Sequence, residues 1–443
     1  MTHQDRAWVA EPQRRVPVAY QADVVVAGSG PAGIAAALAA ARSGATVRLL
    51  EMHGCLGGVW TAGMLAWMFE MHQPGIPREI SLRLDRRGAR IGSDPNRYTY
   101  DIEEMKILLE EMCSEAKVQF QLHTRIAGAV VDRGRVTHLL TESKSGRQAC
   151  AAGCFVDATG DGDLAAFAGC GFDLGRNPSG ECQPMTYMAL VSVRDAEAVS
   201  PYVSFWKGDL SHRKTAVEGL LTEMRRAGLE PSYAKPTLFQ VRDNLLALMI
   251  NHEYGVSAID ADDVTRATVS GRAEVNRVFR GLRALGGVWD GMDLVATCEH
   301  IGVREGRRIH GLYTITRDDL VKGRRHEDSI CRVSFGVDVH CTNPHRGKGQ
   351  EPSPIRMQPY DIPMRSLVAK DVSSLLLAGR CISGDFIAHS SYRVTGTAAA
   401  TGQAAGVAAA LSAQQGKAPA ELEWSDIKPK LQAITEAQPA GGR

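Results

Sequence analysis

The sequence predicts an α/β fold: a Rossmann-like domain, built on a parallel sheet with a small antiparallel sheet beside it, plus an α+β domain carrying a helical insertion. Three observations carry that expectation. An apolar run at 24–27 enters a glycine turn, an alanine-rich helical stretch follows, and the strand-like residues 47–50 end on Glu51. Strand-like segments running into glycine–acid turns recur far along the chain, at 154–163 and at 375–385. Between those two lies a long stretch with its own mixture of strand and helix patterns, so the first domain is expected to be discontinuous. A chain of 443 residues has room for both cores.

The first element is the most specific. Gly28, Gly30 and Gly33 stand in the G-x-G-x-x-G spacing, with Pro31 and Ala32 inside it. Gly28 lets the chain turn sharply out of the strand, Gly30 removes a Cβ so that backbone can approach a pyrophosphate, and Gly33 lets the helix pack close to the sheet. The helix N-terminus offers unpaired N–H groups and a partial positive charge. Glu51, roughly 20 residues on, is placed to take ribose hydroxyls, with Met52 beside it. The unit predicts a dinucleotide site. Gly57-Gly58 then gives the backbone a second close approach to a ligand.

Residues 101–116 carry apolar positions at helical spacing. Segments 118–123, 126–132 and 136–143 alternate like a small antiparallel sheet, with Gly134 suited to a hairpin turn. Segment 154–157 is an apolar strand leading to Ala158, Thr159, Gly160 and Asp161. In the middle of the chain, 185–193 and 330–339 read as strands, and 215–227, 238–251 and 260–285 as helices, the last capped at Asp260 or Asp262. A final buried-type strand leads through Gly379 to Gly384-Asp385, and the long alanine-rich helix after it is expected to start with Thr395 or Thr397 as N-cap. The expected division is 20–175 and 365–412 for the first domain, 176–364 for the second, and 413–443 for a tail with prolines at 419, 429 and 439 and a mobile end. Residues 1–20 read as a surface arm.

The hydrophobic share of 44% and charged share of 23% fit a globular protein. A net charge of +1 gives no reason to expect nucleic acid or a membrane as partner. Segments 24–41 and 394–416 lack charges over the length of a membrane span, but the first is broken by Gly-Ser-Gly-Pro and is the strand-turn-helix of the fingerprint, and the second is alanine, glycine and threonine and reads as a buried helix. None of the ten cysteines forms a C-x-x-C, which argues against zinc ribbons, iron–sulfur ligation and a redox pair. Reduced thiols and a cytoplasmic location are expected. Asp338, His340 and Cys341, with His345 further on, do not give a fourth ligand at convincing spacing, so no metal site is expected. Oligomeric state stays open, a homo-oligomer included.

Glu51 followed by Gly57-Gly58 resembles the FAD-binding segment of flavoproteins of the glutathione-reductase type. Segments 154–163 and 375–385 resemble the strands by which such chains return to the FAD domain. With 75–80, 301–309, 360–366 and 378–389 through Arg393, the chain resembles bacterial FAD-dependent oxidoreductases related to the flavin domain of heterodisulfide reductase and, more distantly, to fumarate reductase. The resemblance covers about 22–412. It implies FAD as cofactor, with adenine against the backbone at Arg125 and Ile126. It implies the remaining cofactor contacts at Ala158, Thr159, Gly160, Asp161 and Gly379, a ribityl hydrogen bond at Asp385, and Gly396, Thr397 and Ala398 at a helix start aimed at the pyrimidine end of the flavin. A helix dipole there stabilises negative charge on the reduced ring.

No second glycine fingerprint followed by an acid is present, so electrons are expected from an organic substrate directly or from a partner. Arg393, four residues after His389, resembles the family's pattern near the flavin ring, and a guanidinium there can clamp a carboxylate or polarise a carbonyl. Arg304, grouped with Glu305, Arg307 and Arg308, lies near the active cavity by the same resemblance. Ion pairing is the plain alternative for both arginines. His340, at the end of an expected strand, suits proton removal as hydride leaves for flavin N5, and His389 is a second such candidate. Trp60, Trp67 and Phe69 can wall the flavin or fill core. The expected activity is movement of a hydride between a small polar organic substrate and flavin N5, with dioxygen, a quinone or another molecule as acceptor. A flavin-dependent monooxygenase is the alternative within enzymes. An electron-transfer flavoprotein component is the alternative outside them.

Overall fold

The glycine fingerprint opens a parallel sheet in the computed structural model, which describes residues 9–353 and 355–436. Strand β1 (Val18–Ala27) leads to helix α1 (Pro31–Arg42) and the chain returns as β2 (Val47–Leu50), parallel to β1. Val24, Val25 and Val26 are fully buried, as β-branched residues in a strand covered on both faces should be. Because β1 begins at Val18, the expected surface arm is shorter than 1–20, and its first eight residues lie outside the described ones.

Helix α2 (Ile102–Glu115) is capped by Asp101, whose side chain accepts from the Glu103 N–H at 2.9 Å, and buries Met105, Leu108, Leu109 and Met112 on one face. It delivers the chain to β3 (Gln119–Gln121), which runs parallel to β2. Segment 118–123 therefore extends the parallel sheet, a correction to the antiparallel placement expected for it. Alternation of apolar residues is the same in both sheet types, and the crossover helix ahead of the strand decides. The strands β4 (Arg125–Asp132), β5 (Arg135–Ser143) and β6 (Gly146–Asp157) form the expected antiparallel meander. The end of β6 lies parallel against β1, pairing Val24 with Cys154 and Ala27 with Asp157.

The middle of the chain builds a second, antiparallel sheet. Its strands are β7 (Ala189–Ser192), β8 (Thr237–Arg242), β9 (Leu245–Met249) and β10 (Asp293–Thr297), in the order β8-β9-β7-β10. Helices α3 (Arg213–Arg226) and α4 (Ala261–Ala284) flank it, and Asp260 caps α4 by accepting from the Asp262 and Asp263 N–H groups. The helix expected over 238–251 is instead the β8–β9 hairpin. Asp243, at φ 36°, and Asn244 form the tight turn between two apolar runs whose residues fit either period. The expected strand 185–193 contracts to β7, and 330–339 to β11 (Ser329–Val333), paired with β12 (Tyr360–Pro363).

The chain then rejoins the first sheet through β13 (Leu375–Leu377), parallel to the end of β6. Helix α5 (Phe386–Tyr392) and the long α6 (Thr395–Gln415) follow. A Cβ on Gly402 would lie 2.0 Å from the Ala32 carbonyl oxygen, and one on Gly406 2.1 Å from that of Ala36, so α6 and α1 touch backbone to backbone. The expected threonine cap of α6 is not made. Val394 occupies the N-cap position, and Thr395 and Thr397 already lie inside the helix. Within the expected tail, α7 (Trp424–Glu436) buries Ile427, Leu431 and Ile434 despite Pro429 within it. The expected mobile end beyond Glu436, with Pro439, lies outside the described residues. No helix among the described residues is long and apolar enough to cross a membrane.

Candidate functional site

The ends of β1, β6 and β13 stand side by side, since Asp157 pairs with both Ala27 and Leu377. Each fingerprint glycine has a distinct reason to be there. Gly28 turns at φ 89°, and a Cβ on it would sit 2.6 Å from the Ala158 carbonyl oxygen. A Cβ on Gly33 would lie 1.8 Å from the Gly28 oxygen, while one on Gly30 would meet nothing within 4 Å. Two glycines thus enforce close packing, and the third faces open space at the N-terminus of α1. Pro31 and Ala32 begin that helix, where a missing N–H costs nothing. Gly57 donates its N–H to the Ser29 carbonyl at 3.0 Å, and a Cβ on Gly58 would be 2.9 Å from the Gly30 Cα, so the second glycine pair folds over the first.

Glu51 is buried at the end of β2. Its Oε2 accepts from the Ser29 N–H (2.8 Å) and hydroxyl (2.6 Å), and its Oε1 from the His53 N–H (2.9 Å). Met52 beside it is exposed. The Thr124 N–H donates to the Glu51 carbonyl at 2.8 Å, which sets Arg125 and Ile126 next to that acid.

At the end of β6, Asp157 locks the turn through Ala158, Thr159 and Gly160. It accepts from the Thr159 N–H and hydroxyl and from the Ala165 N–H, and burial pushes its carboxyl up to about 6. Gly379 closes β13 at φ 80°, where a Cβ would lie 2.8 Å from the Ala32 Cβ. The next residue, Arg380, pairs with Asp161 at 2.8 Å and donates to the Val303 carbonyl at 2.6 Å. Asp385 lies further on: it caps α5, and its two oxygens accept from the Ala388 and Arg317 N–H groups. The strand end nearest the fingerprint therefore presents Arg380, which no sequence pattern marks because the motif there is recognised by its acid.

The start of α6 holds polar atoms with nothing to bond. Among the described residues the Thr395 and Thr397 hydroxyls are buried without a hydrogen-bond partner, and the His389 ring is buried with only the Arg380 backbone within reach of a weak contact. Burial, with Arg393, Arg308 and Arg380 around it, pushes His389 well below the usual imidazole value. Gly396 packs on the Glu70 backbone, where a Cβ would come within 2.3 Å, and Ala398 is buried. Orphaned hydroxyls at a helix N-terminus and a cradle open at Gly30 fit a flavin dinucleotide stretched between α1 and α6.

Arg393, Arg304 and His340 come together beside this helix start. The Arg393 side chain is 8% exposed, donates to the Arg304 and Asp338 carbonyls (3.1 and 2.7 Å), and lies 3.7 Å from the Asp338 carboxylate. Burial lowers its pKa to about 10. Arg304 donates to the Pro184 carbonyl and the Thr186 hydroxyl, both at 2.7 Å, and has no carboxylate partner among the described residues. Its neighbours are paired, Arg307 with Asp163 and Arg308 with Glu305. The His340 ring reaches Asp338 through Nε2 (3.2 Å) and His252 through Nδ1 (3.1 Å). Burial and Arg304 pull it down to about 4. His252 carries no signal of its own in the sequence, where it follows the apolar run that reads as a helix.

Trp60 and Trp67 are buried core, Trp67 packing 4.6 and 5.4 Å from the rings of Phe205 and Phe239, whereas Phe69 is half-buried. All ten cysteines are free, and no group of three or more metal-ligating side chains occurs among the described residues.

Fold and cradle define a flavoprotein. A family model described as "FAD dependent oxidoreductase" matches residues 23–432, and the chain belongs to that family. It is an FAD-dependent oxidoreductase with a Rossmann-like FAD-binding domain and a second domain. None of the curated proteins matches it. Solved structures similar to it include a geranylgeranyl bacteriochlorophyll reductase-like protein from Thermoplasma acidophilum, 12% identical, with a TM-score of 0.45 over 94% of this chain and 82% of that one. A p-nitrophenol 4-monooxygenase from Pseudomonas putida is 12% identical, with a TM-score of 0.44 over 95% and 91%. A flavin-dependent brominase is also 12% identical, with a TM-score of 0.44 over 93% and 83%. At these scores the likeness carries no argument about the reaction.

Proposed function

We propose that the enzyme moves a hydride between a small, anionic organic substrate and flavin N5, with Arg304 and Arg393 holding the substrate's negative group. The carrying observation is the charge balance of the cluster. Two desolvated guanidiniums face Asp338 while the nearby Glu305 is already paired with Arg308, and Arg304 bonds only to neutral oxygens. An unpaired buried charge costs several kcal/mol, so such a site favours an anion that supplies the missing partner. Bound FAD supplies the two-electron acceptor. The residues that hold it on this reading are Gly28, Gly30, Gly33 and Glu51 at the nucleotide end, Gly57, Gly58, Ala158 to Asp161 and Gly379 along the middle, and Thr397 with Ala398 at the ring, with Arg380 added. Residues 20–175 and 365–412 form the FAD domain and 176–364 the substrate domain. The kinship with the heterodisulfide reductase flavin domain belongs to the same reading.

His340 has both ring nitrogens engaged, so it holds Asp338 in place and does not itself meet the substrate. The test is anaerobic bleaching of the bound flavin against a panel of hydroxy acids, amino acids and neutral alcohols. The expected result is bleaching by a carboxylate-bearing member, with Arg304→Gln weakening its affinity about ten- to a hundredfold, the worth of a charged hydrogen bond. Bleaching only by neutral compounds, untouched by that substitution, would refute the reading. Rapid bleaching by NAD(P)H would favour a monooxygenase instead.

A further inference from the structure

Behind the arginine pair runs an unbroken file of polar side chains. Asp338 Oδ2 lies 3.2 Å from His340 Nε2, His340 Nδ1 lies 3.1 Å from His252 Nε2, and His252 Nδ1 lies 3.2 Å from the Tyr254 hydroxyl. That hydroxyl is 3.3 Å from the Ser232 carbonyl. The inner end sits beside Arg393 and the start of α6. The two imidazoles are 1% and 5% exposed, whereas Tyr254 is half-buried next to the exposed Gly255. The file therefore runs through a closed pair of rings from Asp338, whose side chain is 26% exposed where it meets Arg393 and the Gln350 amide, to the half-buried Tyr254. Tyr233 covers His252, ring centroids 4.0 Å apart, and Arg304, Arg393, Cys341 and Glu274 are the other ionisable groups around it.

Hydrogen-bond roles along the file are fixed by its inner end. With Asp338 ionised, His340 donates from Nε2 to the carboxylate and must accept at Nδ1. His252 then donates from Nε2 and is left with Nδ1 as an acceptor facing the Tyr254 O–H, whose single proton is shared between that nitrogen (3.2 Å) and the Ser232 carbonyl (3.3 Å). Every link has one donor and one acceptor, which is the condition for protons to hop in sequence. A purely structural core has no need of two neutral histidines bonded ring to ring, since apolar side chains of similar shape fill such space without any polar group to satisfy.

We propose that Tyr254, His252, His340 and Asp338 form a proton wire between solvent near Gly255 and the Arg304–Arg393 cluster. A proton entering at Tyr254 displaces the hydroxyl proton onto His252 Nδ1, the His252 Nε2 proton onto His340 Nδ1, and the His340 Nε2 proton onto Asp338. One bond to hydrogen breaks and one forms at each hop, and one proton is moved in total. With the hydrogens reversed, the same file carries a proton outward. The wire rests on the flavin lying at the start of α6 and does not depend on the identity of the substrate.

Reduced methyl viologen tests it without any substrate, because it gives electrons and no protons. Two viologen radicals reduce one bound FAD with uptake of one proton from solvent. In weakly buffered solution with an indicator dye, proton uptake by the holoenzyme is expected to keep pace with flavin bleaching. His252→Phe should slow uptake about tenfold or more and His252→Ala should be rescued by added imidazole, with the oxidised flavin spectrum unchanged in both. Tyr254→Phe, at the half-buried end, should slow uptake as well and decides the matter if the His252 variants lose FAD. Uptake at the parent rate in any of these variants that still holds FAD would overturn the wire. A lowered melting temperature alone would mark His252 as merely structural.

Discussion

Glu253 is a residue out of balance with its surroundings. It lies between His252 and Tyr254, its Oε1 is buried with no hydrogen-bond partner among the described residues, and desolvation, partly offset by a hydrogen bond from Ser270, pushes its carboxyl from 4.5 up to about 7. A raised carboxyl binds its proton more tightly in the folded chain than in the unfolded one. Stability therefore falls as pH rises from 4.5 to about 7 and stays at the lower level above that window. Glu253→Gln should melt at a higher temperature than the parent at pH 8, with the gap closing by pH 4, where both side chains are neutral. A gap of equal size at the two pH values in calorimetry would show that ionisation is not its cause. Residue types at the site were legible where backbone geometry demands them, as at Gly28 and Gly33. They were less legible where a role depends on what lies across the fold. Arg380 follows the Gly379 that meets α1 and pairs with Asp161, and nothing local to it in the sequence carries that information.

At the scale of single elements, the α1 turn separates a packing glycine from a binding glycine. Gly33→Ala places a methyl 1.8 Å from a carbonyl oxygen, so the turn must open, at a cost of about 1–3 kcal/mol for overpacking and loss of the cradle. Gly30→Ala meets no protein atom. It should leave the melting temperature of the FAD-free protein nearly unchanged and still weaken FAD binding, because the methyl enters the space kept for the pyrophosphate. Thermal melts of the two FAD-free variants with fluorescence titration of FAD separate the cases. Equal destabilisation of both would refute the distinction. Gly406→Ala, 2.1 Å from the Ala36 oxygen, should destabilise by about the same 1–3 kcal/mol through the α1–α6 contact. The elements misread from the sequence share one physical origin. Segments 118–123 and 238–251 consist of short apolar runs whose residues suit more than one partner, and the decision came from the α2 crossover ahead of the first and from the Asp243-Asn244 turn that divides the second. Helices with long one-sided patterns, α2 and α4, carried enough information of their own.

For the whole molecule, the question is whether the two sheets melt together. The cradle gathers β1, β6 and β13 from far apart in sequence, and one continuous core joins them to the middle region. Ties across the two parts include the Arg242–Asp101 ion pair at 2.6 Å, the Gln183–Ser390 hydrogen bond at 3.1 Å and the Trp67 ring packed on Phe205 and Phe239. These ties argue for one cooperative unit. A ligand bound only by the folded state at a hundred times its Kd adds about 2.7 kcal/mol. With an unfolding entropy of about 2.1 cal/mol/K per residue, that shifts the melting temperature by about 3 °C if all 443 residues unfold together. It shifts it by about 6 °C if only 20–175 and 365–412 do so. Calorimetry of the FAD-free protein with added FAD should show a single transition moving by the smaller amount. A second transition that ignores FAD, beside a first that moves by the larger amount, would mean that the middle region folds independently and that the contacts joining it to the cradle are too weak to couple them.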